Sequence, residues 1–357
     1  TRLSGDLLGD DGADFANRDD NSYHLVNGSG TDATAVLDGV TVSGGNADFY
    51  SRKIEDYGGG LFCYEGSPTI RNCTFHDSRA RTGGGGAACF RSSPTFETCR
   101  FVANKGAMTI ELSSSPTITG CTFENNTMEG VYVDDSDPVF TNCLFQRNRA
   151  VNGGAMYAGG TAHVVLTSCR FLANIATSYG GGVYVSGQVN NDDATLASTN
   201  CVFIGNVASE RGGAIACTIP VTPWTFTNCT LVANWASENG GIQQPSSSLS
   251  VLNSLIWGNH RTQISGTAPT VDYSCIQGGY AGPGDNNIDS DPIFFPITDG
   301  TWTAAATYDG TTMRSTLTDT GHDYVPGALT GQLVNCDTTQ SVLSYIVGNT
   351  ETTIEVM

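Results

Sequence analysis

The sequence predicts an all-β fold: a right-handed parallel β-helix, a solenoid of about ten three-strand coils, followed by a small C-terminal β cap or segment. Three observations predict it. A cysteine phrase returns at "RNCTF" (Cys73), "ETCRF" (Cys99), "TGCTF" (Cys121), "TNCLF" (Cys143), "TSCRF" (Cys169), "TNCVF" (Cys201) and "TNCTL" (Cys229). Its slots lie roughly 20 to 32 residues apart, close to a solenoid period. A glycine phrase returns with it, as "GGGLFCY" (58–64), "GGGAACF" (84–90), "GGAMYAG" (153–159), "GGGVYVS" (180–186) and "GGAIACT" (212–218). Within that phrase apolar residues alternate with period two, which marks a strand with one buried face.

The first strand of each coil follows the glycines. Leu61, Ala87, Met108, Val131, Met156, Val183, Ile215 and Ile242 form one inward column, and Cys63, Cys89, Ile110, Val133, Ala158, Val185 and Cys217 a second. Between them Phe62, Ala88, Thr109, Tyr132, Tyr157, Tyr184, Ala216 and Gln243 are expected to face out. A middle strand precedes each cysteine, with Ile70, Phe96, Ile118, Phe140, Leu166, Phe226 and Val251 inward. Asn72, Gly120, Asn142, Asn200, Asn228 and Asn253 stand just before the slot, and these residue types tolerate the left-handed backbone of a sharp bend. The third strand runs through the Phe of "CTF". Coils spaced at roughly 4.8 Å give a rod on the order of 50 Å long.

Two ladders follow from this register. The cysteines point inward, and three readings compete for them: a buried unpaired column, one or two disulfides, or a metal site. Side chains aligned in parallel suit the disulfide dihedral poorly, and a metal needs convergent ligands that these spacings lack. Ser254 and Ser274 continue the column, so a small buried residue suffices, which favours the first reading. Three residues after the Phe slot stand Asn104, Asn126, Asn148, Asn174, Asn206, Asn234 and Asn259, with Ser78 ahead of them. Stacked amides there are expected to satisfy the turn backbone along the axis.

Three regions are expected: an irregular acidic segment over 1–32, the repeats over 33–295, and a C-terminal β segment over 296–357. In the last, "SVLSYIVGNTETTIEVM" (341–357) reads as a hairpin turning at Gly348-Asn349. It is expected to cap the solenoid, or to pair its final strand with a neighbouring subunit. The chain begins at Thr1 with no charged-then-apolar leader, so a removed signal peptide or a longer precursor is expected.

At "GGAM", "GGAI" and the F-x-x-N series the chain resembles the repeats of chlamydial polymorphic outer membrane proteins. It is also similar to secreted bacterial β-helix repeat proteins of the kind found in Planctomycetes, whose "SPTIxNCTFxxN" coils end in an "NIDxDPxF" segment, as at 287–294. The resemblance covers about residues 33 to 295, and the 62 residues after Phe295 fall short of the membrane barrel that the polymorphic proteins carry. It implies a secreted or surface-associated protein with adhesive or structural roles.

Function is less legible than fold. Acidic residues outnumber basic ones 35 to 16, for a formal charge of −19 and a pI near 4.3, which disfavours nucleic acid as a partner and favours cations. No apolar run is long enough for a transmembrane helix. The leading expectation is an extracellular structural or adhesive rod without catalysis, associating with itself end to end or laterally. The alternative is a polysaccharide lyase, a glycoside hydrolase or a glycan-binding module. Its candidate surface is the outward row of Phe62, Tyr64, Phe90, Tyr132, Tyr157 and Tyr184, since exposed rings stack on sugars. The competing expectation for that row is a ladder that stabilises the sheet or lies under a loop.

The carboxylates Asp134, Asp135 and Asp137, and the pair Asp192-Asp193, lie on or near coil surfaces with no evident basic partner. The single "GH", at Gly321-His322-Asp323, falls outside the repeats. No cofactor is required by the pattern. Calcium is the one candidate, at Asp10, Asp11 and Asp14 or at Asp285, Asp289 and Asp291, although neither run has EF-hand spacing.

Overall fold

The computed structural model describes residues 1–48, 56–187, 194–217, 224–244, 249–267, 269–292, 301–336 and 343–357. Three long parallel sheets run side by side along one solenoid. The first sheet has ten strands, the middle sheet ten and the third eleven. Each strand pairs in register with its equivalent one coil away: Leu61 with Ala87, Ile70 with Phe96, Phe75 with Phe101.

Register makes columns, and columns make the core. Phe75, Phe101, Phe123, Phe145, Phe171 and Phe203 stack along the third sheet with centroid separations of 5.0, 5.1, 4.8, 4.6 and 4.5 Å and nearly parallel planes. Phe96 and Phe140 of the middle sheet meet this stack edge-on. All of these rings are fully buried, and each contributes about 2 to 3 kcal/mol of transfer free energy. The bends before the slot are left-handed as expected, with φ of 54° at Asn72, 53° at Asn142 and 55° at Asn200.

The seven cysteines of the column are buried, and among the described residues no disulfide forms. Ser254 and Ser274 occupy the same slot, and Ser254 Oγ accepts from the Cys229 amide at 3.1 Å. The asparagine ladder is continuous. From Asn126 onward each amide oxygen accepts from both the backbone N–H and the side-chain Nδ2 of the asparagine one coil earlier, as Asn148 Oδ1 does from Asn126 at 3.1 and 2.8 Å, while Asn104 Oδ1 accepts from Ser78 N. Each Nδ2 also donates to a carbonyl of the third sheet, Asn148 to Phe123 at 2.9 Å. Gln263 ends the ladder by accepting from Asn259.

The stacked strands begin before residue 33. Arg2–Ser4 pairs with Thr41–Ser43, and Val26–Asn27 pairs with the Leu61–Tyr64 strand, so the acidic segment already holds part of a coil. It is pinned by Arg18, which is buried and pairs with Asp11 at 3.1 Å and Asp77 at 2.7 Å.

Residues after 300 form a separate antiparallel sheet around Leu317, Ile346, Ile354 and Val356. The sheet lies against the flank of the solenoid: Tyr345 packs with Leu172 and Ala173, and its side chain covers Gly205. The final strand, Thr353–Val356, is flanked on both sides, by Arg314–Thr318 and Ser344–Asn349, so it presents no free edge to a second subunit. The hairpin turns at Thr350–Thr352 and not at Gly348-Asn349. Asn349 is held in its strand because its side chain accepts from Leu329 N and donates to Val325 O, both at 3.0 Å.

Candidate functional site

Because the interior is filled by packing, any ligand must be met on an outer face. The first sheet presents two outward columns. One runs Phe62, Ala88, Thr109, Tyr132, Tyr157, Tyr184. The other runs Tyr64, Phe90, Glu111, and on the next coils Asp134 beside Gly159.

The expected open row of rings is not open. Phe62, Phe90 and Tyr184 are buried, while Tyr64, Tyr132 and Tyr157 are half-buried. Two residues outside the repeated phrases account for the first pair. His24 stacks on Phe62 at 4.8 Å, and Tyr57 meets Phe90 edge-on at 4.9 Å. Tyr132 and Tyr157 lie parallel at 4.8 Å, so they support each other as well as facing outward.

Next to these rings the surface opens into a cleft of about 260 Å³. Tyr57, Met128, Glu129 and Tyr132 line it together with Gly83, Gly84, Gly106 and Thr109. The glycines keep it empty: Gly84 and Gly106 take φ of 61° and 73°, and a Cβ on Gly83 or Gly84 would come within 3.0 Å of Thr109. A cleft with ring walls and a few polar groups is the usual form of a small-ligand site.

Glu111 stands at one end of this cleft. Continuing the strand register by one residue sets it beside Asp134. Burial, with the charges of Asp134 and Asp135 added, pushes the Glu111 carboxyl up to about 7. Burial raises Glu129, and burial with Asp135 raises Asp134. The Tyr57 hydroxyl is pushed up to about 12 by burial and by Glu111. Asp135 is fixed by Thr161, whose backbone N–H and hydroxyl both donate to Oδ1. Gly160 makes room for both aspartates, since a Cβ there would meet Asp135 Oδ1 at 2.1 Å and Asp134 Oδ1 at 2.9 Å. Among the described residues none of these four carboxylates forms an ion pair. Chemically the cleft offers a ring face, hydrogen-bond acceptors, and a carboxyl that holds its proton near neutrality.

The acidic candidates elsewhere separate. Asp10 comes together with Asp6 and Asp20, with one oxygen of each within 4.8 Å of the others. Two of these carboxylates are engaged by their own loop: Asp6 accepts from Gly9 N, and Asp20 from Leu7 N and Leu8 N. Asp11 turns inward to Arg18 and Asn21, and Asp14 stays exposed apart from the group. Asp285, Asp289 and Asp291 are exposed and do not converge, and Asp289 accepts from Gly278 N. Asp192-Asp193 lies outside the described residues. His322 Nδ1 donates to the buried Asp319 carboxylate at 2.7 Å, within the C-terminal sheet.

Sequence reasoning missed Tyr57, Glu111 and Glu129. Glu111 was within reach: extending the outward column two residues past Thr109 sets it in line with Asp134. Tyr57 gives no such signal, because it precedes the first glycine phrase.

A model of the right-handed beta helix region matches residues 29–191, and one of the Chlamydia polymorphic membrane protein repeat matches residues 200–218. Among solved structures, the crystal structure of the Dettilon tailspike protein (gp208) aligns over 93% of this chain and 75% of that chain, at 11% identity and a TM-score of 0.41. No curated protein matches the chain.

Proposed function

Starting from a right-handed β-helix repeat protein whose coils resemble those of the chlamydial polymorphic membrane proteins, we propose that it is a secreted or surface-exposed rod that holds glycan chains in the Tyr57–Tyr132 cleft. One observation carries this reading: the cleft joins ring faces to carboxylate acceptors on an outer face that packing does not use. Sugar rings present an apolar C–H face to an aromatic ring and hydroxyl donors to carboxylates, so both features serve one ligand. The adhesive role and the rod agree, since a stiff solenoid holds such a cleft away from its anchorage. No helix among the described residues is long and apolar enough to cross a membrane.

A glycan array followed by calorimetry tests it, with Tyr57→Ala and Tyr132→Ala as variants. Binding of one glycan class, weakened about tenfold or more in either variant, is the expected outcome; a factor of ten is about 1.4 kcal/mol. An array without binding, or variants that bind as the parent does, would reject the cleft.

A second reading is favoured by Glu111 alone. A carboxyl still protonated near pH 7, beside Asp134, matches the acid and base of glycoside hydrolysis. Release of reducing ends from a bound glycan, lost in Glu111→Gln, decides between binding and turnover.

A further inference from the structure

The walls of the cleft say that a ring fits; its charges say which ring. Glu111 and Glu129 line the cleft, Asp134 and Asp135 act on Glu111 from beside it, and Tyr57, Tyr132 and Tyr157 are the other titratable groups against them. Among the described residues no basic side chain forms an ion pair with these carboxylates. Arg91, on the turn after Phe90, reaches to Glu65 and the Tyr64 hydroxyl, and Lys105 forms no ion pair with any of the four. Among the described residues, a uronate or sulfated sugar laid on Tyr132 would therefore meet carboxylates without a paired cation, within a chain of formal charge −19. A protonated amine would meet carboxylates that form no ion pair among the described residues, and the faces of two tyrosines, which attract cations.

We propose that the cleft selects amino-sugar oligomers, with a protonated amine against Glu111 and Asp134 and the sugar face on Tyr132. This rests on the reading of the cleft as a glycan site and specifies its substrate class. It carries a linked proton. Glu111 keeps its proton to about pH 7 because burial and two aspartates oppose its charge, and an ammonium beside it reverses that balance. Binding between pH 6 and 7 therefore releases a proton from Glu111.

The test is calorimetry at pH 6 with three oligomers of equal length: fully deacetylated glucosamine, its N-acetylated form, and a uronate. Each is run in two buffers of different ionisation enthalpy, so that proton release is counted. The deacetylated oligomer is expected to bind at least about tenfold tighter than the acetylated one, and the uronate not at all. Up to roughly one proton should leave per site, and Glu111→Gln should abolish both the release and most of the preference. Asp134→Asn serves as the second variant should Glu111→Gln fold poorly, and it should reduce the preference. Equal or tighter binding of the acetylated or uronate oligomer would overturn the charge selection while leaving the glycan site standing. Absence of binding by all three, with Tyr132→Ala also without effect on any glycan, would remove the site itself. Calcium alone bound in a Glu111-dependent way, and excluding the oligomer, would make the occupant a metal and reject the proposal.

Discussion

One strand, Met108–Glu111, has two faces that follow different rules. Met108 and Ile110 point into columns that run the length of the solenoid, apolar or cysteine at almost every coil. Thr109 and Glu111 point outward, where the equivalent residues on neighbouring coils are Ala88, Tyr132, Phe90 and Asp134. Inside, a residue is fixed by its two stacked neighbours, so the column repeats. Outside, it is fixed by whatever lies over it, so the column changes from coil to coil. A site can arise only where the repeat is broken in this way.

The largest effect is expected inside. Asn148→Ala leaves the Asn126 amide and the Phe123 carbonyl without their buried partner, and removes two further amide contacts. It should destabilise by about 3 kcal/mol, read as a lower urea midpoint. An unchanged midpoint would mean that the ladder does not hold the turns, and the inner face would lose its special standing.

A smaller effect is expected where the inner column already varies. Cys143→Ser places in the stack the residue that the chain itself uses at 254 and 274. The expected cost is about 1 kcal/mol or less, because Ser254 shows that a hydroxyl there finds both a donor and an acceptor. A loss as large as that of Asn148→Ala would show that the sulfur column does more than fill space.

The smallest is expected outside, and it depends on pH. The folded state keeps a proton on Glu111 up to about 7, whereas the unfolded chain loses it near the ordinary glutamate value of 4.5. Between those values the native state binds more protons, so stability falls as pH rises through the window. Glu111→Gln removes that slope. Its melting temperature should exceed the parent's by about 2 °C at pH 8 and match it at pH 4. Parallel curves across the range would place Glu111 in ordinary solvent and dissolve the electrostatic contrast between the faces.

The same contrast explains what the sequence made legible. Period-two columns, the asparagine ladder and the buried thiols follow from stacking alone, and each stands where the repeat phrase puts it. The row from Phe62 to Tyr184 was placed on the right face yet was not open, since exposure depends on covering residues. Tyr57 and His24, which cover Phe90 and Phe62, stand outside the repeated phrases and have no column to betray them. Asp11 reads by composition as a cation ligand, but Arg18 is close enough to neutralise it, and no spacing rule foretells that pair. The C-terminal sheet is recognisable as strands, while its seat on the flank depends on Tyr345 meeting the bare backbone of Gly205.

The division between the two faces is tested most directly by two adjacent residues of one strand. Melting temperature and glycan affinity should be measured together for Val131→Ala and Tyr132→Ala. Val131 is fully buried in the inner column and Tyr132 lines the cleft. Val131→Ala should lower the melting temperature by several degrees, for a cavity cost of about 2 kcal/mol, and bind glycan as the parent does wherever it is folded. Tyr132→Ala should lose about tenfold or more in affinity with a much smaller thermal shift. Affinity lost equally in both variants, or a Tyr132→Ala protein that melts early and binds normally, would contradict the assignment of stability to one face and recognition to the other.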